Sequence, residues 1–165
     1  MLGLKSRALK TVVRMMLAIV AVTGVATVAS PASPVYASCS GSSCSGLDPQ
    51  ANGCSTSTTR TETALWLSSF SVELRYSPAC HAMWTRITID DYLPTCCVPI
   101  HVRVWRQTGS DSAGWSDAQI YTKTVNAGLE GAFWTAMVPD VSSGDRTRSC
   151  WGFDNSYSGG CTSWA

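Results

Sequence analysis

The sequence predicts an all-β fold, a small disulfide-stapled sandwich or barrel of about six strands. Three observations support this prediction. Several short segments alternate apolar and polar residues with the period of two that is typical of strands. No window of 11 or more residues beyond residue 37 shows a clear helical period. All eight cysteines lie beyond residue 38, a distribution typical of an exported domain with disulfide bonds.

Residues 1–37 are predicted to be a cleaved secretory signal peptide. Four basic residues, with no acid among them, flank or precede an apolar stretch over residues 15–29. Small residues occupy the −3 and −1 positions before a cut between Ala37 and Ser38. Residues 38–165 are therefore expected to form a single secreted, extracellular domain, with no stable membrane association once the signal is removed.

Two alternatives to cleavage are less well supported. An uncleaved membrane anchor would need about 20 apolar residues, and this run has only about 15. A lipoprotein would acylate Cys39, but Tyr36 occupies the position where a lipid-attachment box has Leu. Acylation would also leave seven cysteines, an odd number that strands one thiol.

Signal cleavage changes the net charge of the protein. Four of the 12 basic residues leave with the signal, so eight remain against 11 acids, a net charge of −3. The remaining domain contains one lysine, Lys123. A weakly acidic chain without a basic run is a poor binder of nucleic acid or of anionic membranes.

Six segments are predicted to be strands. The clearest is residues 70–76, where apolar residues alternate with Ser71, Glu73 and Arg75. Ser77-Pro78 ends that strand. The six predicted strands are residues 64–67, 70–76, 84–89, 100–105, 120–125 and 133–138.

Three other segments are predicted to be irregular. Ser38–Thr61 is rich in Ser, Thr and Gly and contains three cysteines. Residues 107–114 are polar and are predicted to be a loop. The tail after Pro139 has no apolar alternation, and a Gly-rich stretch in it is predicted to be a closed loop.

The disulfide pairing is open, because eight cysteines allow about 105 combinations. Two pairs have physical support: Cys150–Cys161 closes a short Gly-rich loop, and Cys54–Cys80 ties the irregular N-terminal segment to the sheet. Adjacent cysteines rarely bond each other, so Cys96 and Cys97 are each expected to reach a different partner. The predicted disulfide cysteines are Cys39, Cys44, Cys54, Cys80, Cys96, Cys97, Cys150 and Cys161.

Neither a metal site nor a catalytic motif stands out. The chain has no Cys-x2-Cys and only two histidines, so no metal and no cofactor are expected. His81 and His101 lie in no recognisable triad or His-Glu-x-x-His motif. Asp48 and Asn52 do not match a calcium loop and are explained by an Asx turn. No catalytic residue is therefore assigned, and an enzyme is not favoured.

Arginine and tryptophan residues suggest a binding face. Five of them lie on the polar phase of their predicted strands: Arg75, Trp84, Arg86, Arg103 and Trp105. If these strands are neighbours, they form a surface suited to sugars, which stack on aromatic rings, or to anions, which take bidentate arginine contacts. The alternative is that the second face of the sheet is covered and that the tryptophans are core residues.

Residues 72–86 resemble the YjfA-like family, a secreted bacterial domain of unknown function common in actinobacteria. That family's pattern is Val-Glu-Leu-Arg-Tyr-Ser, a Cys, then Trp-Ala-Arg. Its Cys-x4-Cys, Asp-Pro and Gly-Cys elements match residues 39–54, and its Trp-Thr-x-Met-Val element matches residues 134–138. The similarity covers roughly residues 39 to 140. Thr85 departs from the Ala of Trp-Ala-Arg, and the later cysteine pairs look like additions.

The resemblance implies an exported domain with no assigned activity, so the functional hypotheses rest on the residues. The first is a non-enzymatic extracellular or cell-wall binding module, which takes a cell-wall glycan or an extracellular protein. The second is a small secreted hydrolase with two carboxylates at glycosidase spacing. The third is a protease-inhibitor-like or structural exoprotein. The candidate acids of the hydrolase are Glu62, Glu73, Asp90, Asp91 and Asp117.

Overall fold

The computed structural model describes residues 36–90 and 98–165. The predicted signal peptide, except for its last two residues, lies outside these described ranges, and so do Asp91, Cys96 and Cys97. The described residues contain a 3-10 helix, Gly41–Cys44, and nine strands. No helix in these ranges is long and apolar enough to cross a membrane. The strands are β1 (Arg60–Trp66), β2 (Phe70–Ser77), β3 (Ala82–Ile89), β4 (Ile100–Ser110), β5 (Gly114–Val125), β6 (Gly131–Trp134), β7 (Val138–Pro139), β8 (Asp145–Gly152) and β9 (Gly160–Cys161).

The strands form two antiparallel sheets, so the predicted all-β fold is confirmed. In the first sheet β1, β2 and β3 are successive neighbours, and both β6 and β7 pair with the far edge of β3. The second sheet has the order β5-β4-β8-β9. Residues 133–138, predicted as one strand, are split into β6 and β7 by a short break.

The core lies between the two sheets, which makes the domain a sandwich. Val72 and Ile87 of the first sheet pack in one buried cluster with Val102 and Val125 of the second. These are the apolar phases of the alternating strands, and burying each such side chain stabilises the fold by about 1.5–3 kcal/mol. The polar phases of the same strands therefore face outward, on opposite sides of the sandwich.

One threonine joins the two sheets through the core. Thr85 of β3 is fully buried, and its hydroxyl lies 2.8 Å from the carbonyl oxygen of Arg103 and 2.7 Å from the hydroxyl of Ser149. These hydrogen bonds join the two sheets and satisfy polar groups in the interior.

The N-terminal segment is irregular, as predicted, and covers part of the outer face of the first sheet. An Asx turn holds it, since the Asp48 carboxylate accepts hydrogen bonds from the backbone of Gln50 and Ala51 at 2.8 and 2.9 Å. The other Asp48 carboxylate oxygen accepts one from the indole of Trp134 at 2.8 Å. Burial acts to raise the pKa of Asp48, but these hydrogen bonds outweigh it and lower the pKa.

Two regions predicted as loops are strands. β4 continues through Gln107 to Ser110 and β5 begins at Gly114, so the hairpin turn is much shorter than the predicted polar loop. The tail contributes β8, which lies between β4 and β9. β8 buries Thr147 and Ser149 in the two inward positions that precede Trp151. Its sequence therefore lacks the apolar alternation by which the other strands are predicted.

Three disulfide bonds are present among the described residues. The two predicted pairs, Cys54–Cys80 and Cys150–Cys161, are both formed. The third, Cys39–Cys44, closes a loop around the 3-10 helix. The expectation that Cys96 and Cys97 each bond a different distant cysteine concerns residues outside the described ranges. Every cysteine within those ranges already has a partner.

Candidate functional site

The structure does not bring the five predicted face residues together. β3 carries Trp84 and Arg86 in the first sheet, whereas β4 carries Arg103 and Trp105 in the second. The two groups lie on opposite outer faces of the sandwich. The single arginine–tryptophan surface expected from the sequence is therefore wrong, because the strands that carry it are not neighbours in one sheet.

On the first sheet the arginines are engaged with a buried acid. Glu73 lies between them on β2, its side chain 5% exposed, and its carboxylate contacts Arg75 at 3.2 Å and Arg86 at 2.6 Å. Arg75 also donates to Thr61. Burial, and then the charge of Arg86, lower the pKa of Arg75. These guanidinium groups neutralise an internal carboxylate, which is a structural role.

Trp84 is a core residue, contrary to its predicted place in the binding face. Its side chain is 2% exposed and packs with Met137 and the sulfur atoms of the N-terminal disulfides. The N-terminal segment covers the outer phase of β3 at this point. The alternative considered from the sequence, that a covered face turns tryptophans into core, holds for this residue.

The second sheet carries a larger cluster of arginines and rings on its outer side. We call it the arginine–aromatic face. Each of its three arginines lies against two aromatic rings, with guanidinium-to-centroid distances of 4.0–4.6 Å. Its members are Arg103, Arg146, Arg148, Trp105, Trp115, Tyr157 and Trp164.

The contacts run continuously across this face. Arg103 bridges Tyr157 and Trp105, and Arg148 bridges Trp105 and Trp164. The Trp105 and Trp164 rings also meet edge to face, with centroids 5.4 Å apart. Such contacts between a cation and a ring are worth about 0.5–1 kcal/mol at exposed sites and about 2 when desolvated. The rings and guanidinium groups thus hold each other in place.

Polar side chains anchor the end of the face near the β4–β5 hairpin. Gln107 accepts hydrogen bonds from Arg146 at 2.7 and 2.9 Å. Asp117 accepts from the amide of Gln107 at 2.8 Å and from the indole of Trp105 at 2.7 Å. The hydrogen bonds from Gln107 and Trp105 lower the pKa of Asp117, so this acid stays ionised beside the arginines.

The face is positively charged although residues 38–165 are acidic overall. The face holds three guanidinium groups, and two carboxylates accept hydrogen bonds from its indoles, Asp117 from Trp105 and Asp111 from Trp115. Burial lowers the pKa of Arg148, and the nearby charges of Arg103 and Arg146 lower it further. The buried Nε atoms of Arg103 and Arg148 have no hydrogen-bond partner among the described residues. An anion placed at Arg103 and Arg148 would therefore meet two guanidinium groups that repel each other.

Sequence reasoning found two of the seven residues of this face, Arg103 and Trp105. It missed Arg146 and Arg148 because β8 was not predicted as a strand. The pattern Arg-Thr-Arg-Ser over residues 146–149 could have indicated this strand. It alternates with a period of two and places small polar residues on the side that faces the core. Trp164 reaches the face because the chain end runs along β8, with Ala165 exchanging two backbone hydrogen bonds of 2.9 Å with Thr147.

The candidate hydrolase residues do not assemble into an acid pair among the described residues. Glu62 contacts Arg60, Glu73 contacts Arg75 and Arg86, and Asp117 faces Gln107 and Trp105. Asp90 is exposed at the end of β3. The imidazoles of His81 and His101 each lie beside one hydroxyl, at 3.4 and 3.1 Å. These contacts give no carboxylate–imidazole pair of the kind that acid–base catalysis uses.

A family model covers most of this fold. It matches residues 42–150, and its description is "Protein of unknown function (DUF2690)". The chain belongs to the DUF2690 family. The match confirms membership of an unknown-function domain family, while the YjfA-like assignment and the actinobacterial origin stay predictions. No curated protein and no solved structure is significantly similar to the chain.

The matched region ends within β8. It contains the Cys54–Cys80 bond and both arginines of β8. It stops before Tyr157 and Trp164, which complete the arginine–aromatic face. This DUF2690 domain therefore builds part of the face from chain beyond the matched region.

Proposed function

We propose that this DUF2690 domain is a secreted, non-enzymatic binding module whose arginine–aromatic face takes an anionic glycan of the cell wall. The single observation that carries the proposal is the row of three arginines, each against two rings. Export is supported by three disulfide bonds, which persist in oxidising compartments. The predicted signal peptide is consistent with the same location.

The packing of the rings favours an anion over an uncharged sugar. A sugar stacks on the open face of an aromatic ring. The guanidinium groups that approach Trp105 lie 4.6 and 4.3 Å from its ring centroid, and those that approach Trp164 lie 4.3 and 4.2 Å away, with Arg148 shared by both rings. The guanidinium groups thus already cover the ring faces on which a sugar would stack. A ligand would therefore contact the guanidinium groups rather than the rings.

The chemistry of arginine defines the ligand. A guanidinium group presents donors in a planar fork that matches a carboxylate or a phosphate with two parallel hydrogen bonds. Arginines spaced along one strand pair suit a polymer that repeats such a group. Because Arg146 is held by Gln107, we assign ligand contact to Arg103 and Arg148, and positioning to Arg146.

Binding to defined polymers tests this proposal. The purified domain is mixed with a polyuronate, a polyphosphodiester and an uncharged glycan, each immobilised, at low and at high salt. We expect retention on one or both anionic polymers, weakened by salt, and no retention on the uncharged glycan. The two anionic polymers separate a carboxylate ligand from a phosphate ligand.

Charge-conserving variants make the test specific. Arg103→Lys and Arg148→Lys keep the positive charge but lose the planar fork, and each is expected to weaken binding about tenfold or more, since hydrogen bonds to charged groups are worth about 1.5–3 kcal/mol. Arg60→Lys is the matched control, an exposed arginine on the other sheet. The proposal fails if folded Arg103→Lys and Arg148→Lys bind as wild type does, or if the uncharged glycan is retained equally well.

A further inference from the structure

Four cysteines from separate parts of the chain converge in the N-terminal cluster. The sulfur atoms of Cys39, Cys44, Cys54 and Cys80 all lie within 4.8 Å of one another. They form two disulfide bonds, Cys39–Cys44 and Cys54–Cys80. The two bonds touch, because the sulfur atoms of Cys39 and Cys54 are 3.7 Å apart. All four residues are at most 9% exposed.

The distance of 3.7 Å between the two disulfides is close to the spacing of sulfur atoms in a four-thiolate metal site. Zinc binds four cysteine sulfur atoms tetrahedrally at about 2.3 Å, which puts the sulfur atoms about 3.8 Å apart. Once the two disulfide bonds are broken, the bonded sulfur atoms have to separate to that spacing, while the four residues already surround one point. The spacing in the sequence did not indicate this, because the four cysteines come together only in the folded domain.

Backbone hydrogen bonds hold the four positions together independently of the sulfur atoms. Gly41 donates to the carbonyl of Cys80 at 2.7 Å, which joins the 3-10 helix to the β2–β3 turn. Ser38 donates to the carbonyl of Asn52 at 3.1 Å, and Cys54 donates to that of Pro49 at 2.8 Å. Opening the two disulfides therefore leaves contacts that keep the cysteines near each other.

We propose that this cluster has two states, a pair of disulfides when oxidised and a tetrathiolate site for one soft divalent cation, such as Zn²⁺, when reduced. The reductant is an external dithiol. Each dithiol transfers two electrons and two protons to one disulfide and leaves as a disulfide itself, so two dithiols yield four cysteine thiols. The cation then displaces the thiol protons and binds the four sulfur atoms.

The probe is Co²⁺, which gives intense visible absorption when four thiolates bind it tetrahedrally. The protein is reduced with a dithiol, freed of reductant without oxygen, and titrated with Co²⁺ and then Zn²⁺. We expect one Co²⁺ per chain with the tetrathiolate spectrum, displacement of Co²⁺ by Zn²⁺, and no such spectrum for the oxidised protein. Near-ultraviolet circular dichroism follows the packing of Trp84 against the cluster during the titration.

Matched variants locate the site. Cys54→Ser/Cys80→Ser is expected to abolish the tetrathiolate spectrum. Cys150→Ser/Cys161→Ser removes as many thiols outside the cluster and is expected to leave the spectrum and the stoichiometry unchanged.

Any of three results would overturn the proposal. The first is a reduced protein that binds no Co²⁺, whether it stays folded or unfolds. The second is the same spectrum in the Cys54→Ser/Cys80→Ser protein as in wild type. The third is a spectrum that disappears in Cys96→Ser/Cys97→Ser, because those thiols would then be the ligands.

Discussion

Arg148 is the residue at which the arginine–aromatic face should be most sensitive to substitution. Its guanidinium carbon lies 4.3 Å from the Trp105 ring centroid and 4.2 Å from that of Trp164. Two such contacts are worth about 1–4 kcal/mol together. The side chain is partly exposed and is repelled by Arg103 and Arg146, so we take the lower part of that range. Arg148→Ala is expected to lower the free energy of unfolding by about 1–2 kcal/mol.

Two further variants separate charge from packing. Arg148→Met keeps a long apolar stem without the charge, and Arg148→Lys keeps the charge without the flat guanidinium group. The free energy of unfolding of both variants is expected to lie between that of wild type and that of Arg148→Ala. Arg60→Ala is the control, because Arg60 is exposed and lies over a single ring among the described residues, that of Tyr76 at 4.8 Å.

Urea unfolding of the oxidised proteins, followed by tryptophan fluorescence and far-ultraviolet circular dichroism, measures these differences. The midpoint should fall while the slope stays constant, since the same surface is exposed on unfolding. If Arg148→Ala is no less stable than Arg60→Ala, the ring contacts do not stabilise the domain. If Arg148→Met matches wild type, apolar packing rather than the cation is responsible.

Three other expectations can be tested by the same unfolding measurements. Thr85→Val should lower the free energy of unfolding by about 1–3 kcal/mol, because it leaves buried polar groups unpaired. The double variant Thr85→Val/Ser149→Ala should lose less stability than the sum of the two single variants. Full additivity would show that the two hydroxyls are not coupled. Burial and then the charge of Asp145 raise the pKa of Asp140. The contribution of Asp140 to stability is therefore present below its unfolded pKa and is lost as pH rises through its folded pKa. Asp140→Asn should remove this fall in the free energy of unfolding, and an unchanged pH profile of stability would contradict the assignment. Cys150→Ala/Cys161→Ala should lower the free energy of unfolding by about 3 kcal/mol, because the unfolded chain gains loop entropy. It should also change the environment of the tail tryptophans, Trp151 and Trp164, and an unaltered emission spectrum would contradict this expectation.

The strands with apolar alternation could be predicted because their pattern depends on local chemistry. Residues 70–76 and 100–105 each place every second side chain against a core, whichever sheet the strand joins. β8 escaped prediction because two of its inward residues, Thr147 and Ser149, are polar, and the Ser149 hydroxyl is paired with Thr85 of the other sheet. Such a strand is recognisable only once those partners are known.

The disulfides show the same division. Cys150–Cys161 and Cys54–Cys80 could be proposed because each closes a segment whose ends are brought near by predicted turns or strands. The contact between Cys39 and Cys54, at 3.7 Å between sulfur atoms, depends on how the N-terminal segment packs over β3. No spacing rule in the sequence contains that information.

The sequence by itself determined the class of the fold and the arginine and tryptophan residues available for a face, and it predicted the export context. Those properties follow from local period, composition and cysteine content. Only the tertiary structure decided that Trp84 lies in the core, that Arg75 and Arg86 neutralise Glu73, and that Arg103 joins the arginines of β8. The physical reason is that strand neighbours are set by long-range pairing, so the residues that share a surface depend on the order of strands in each sheet.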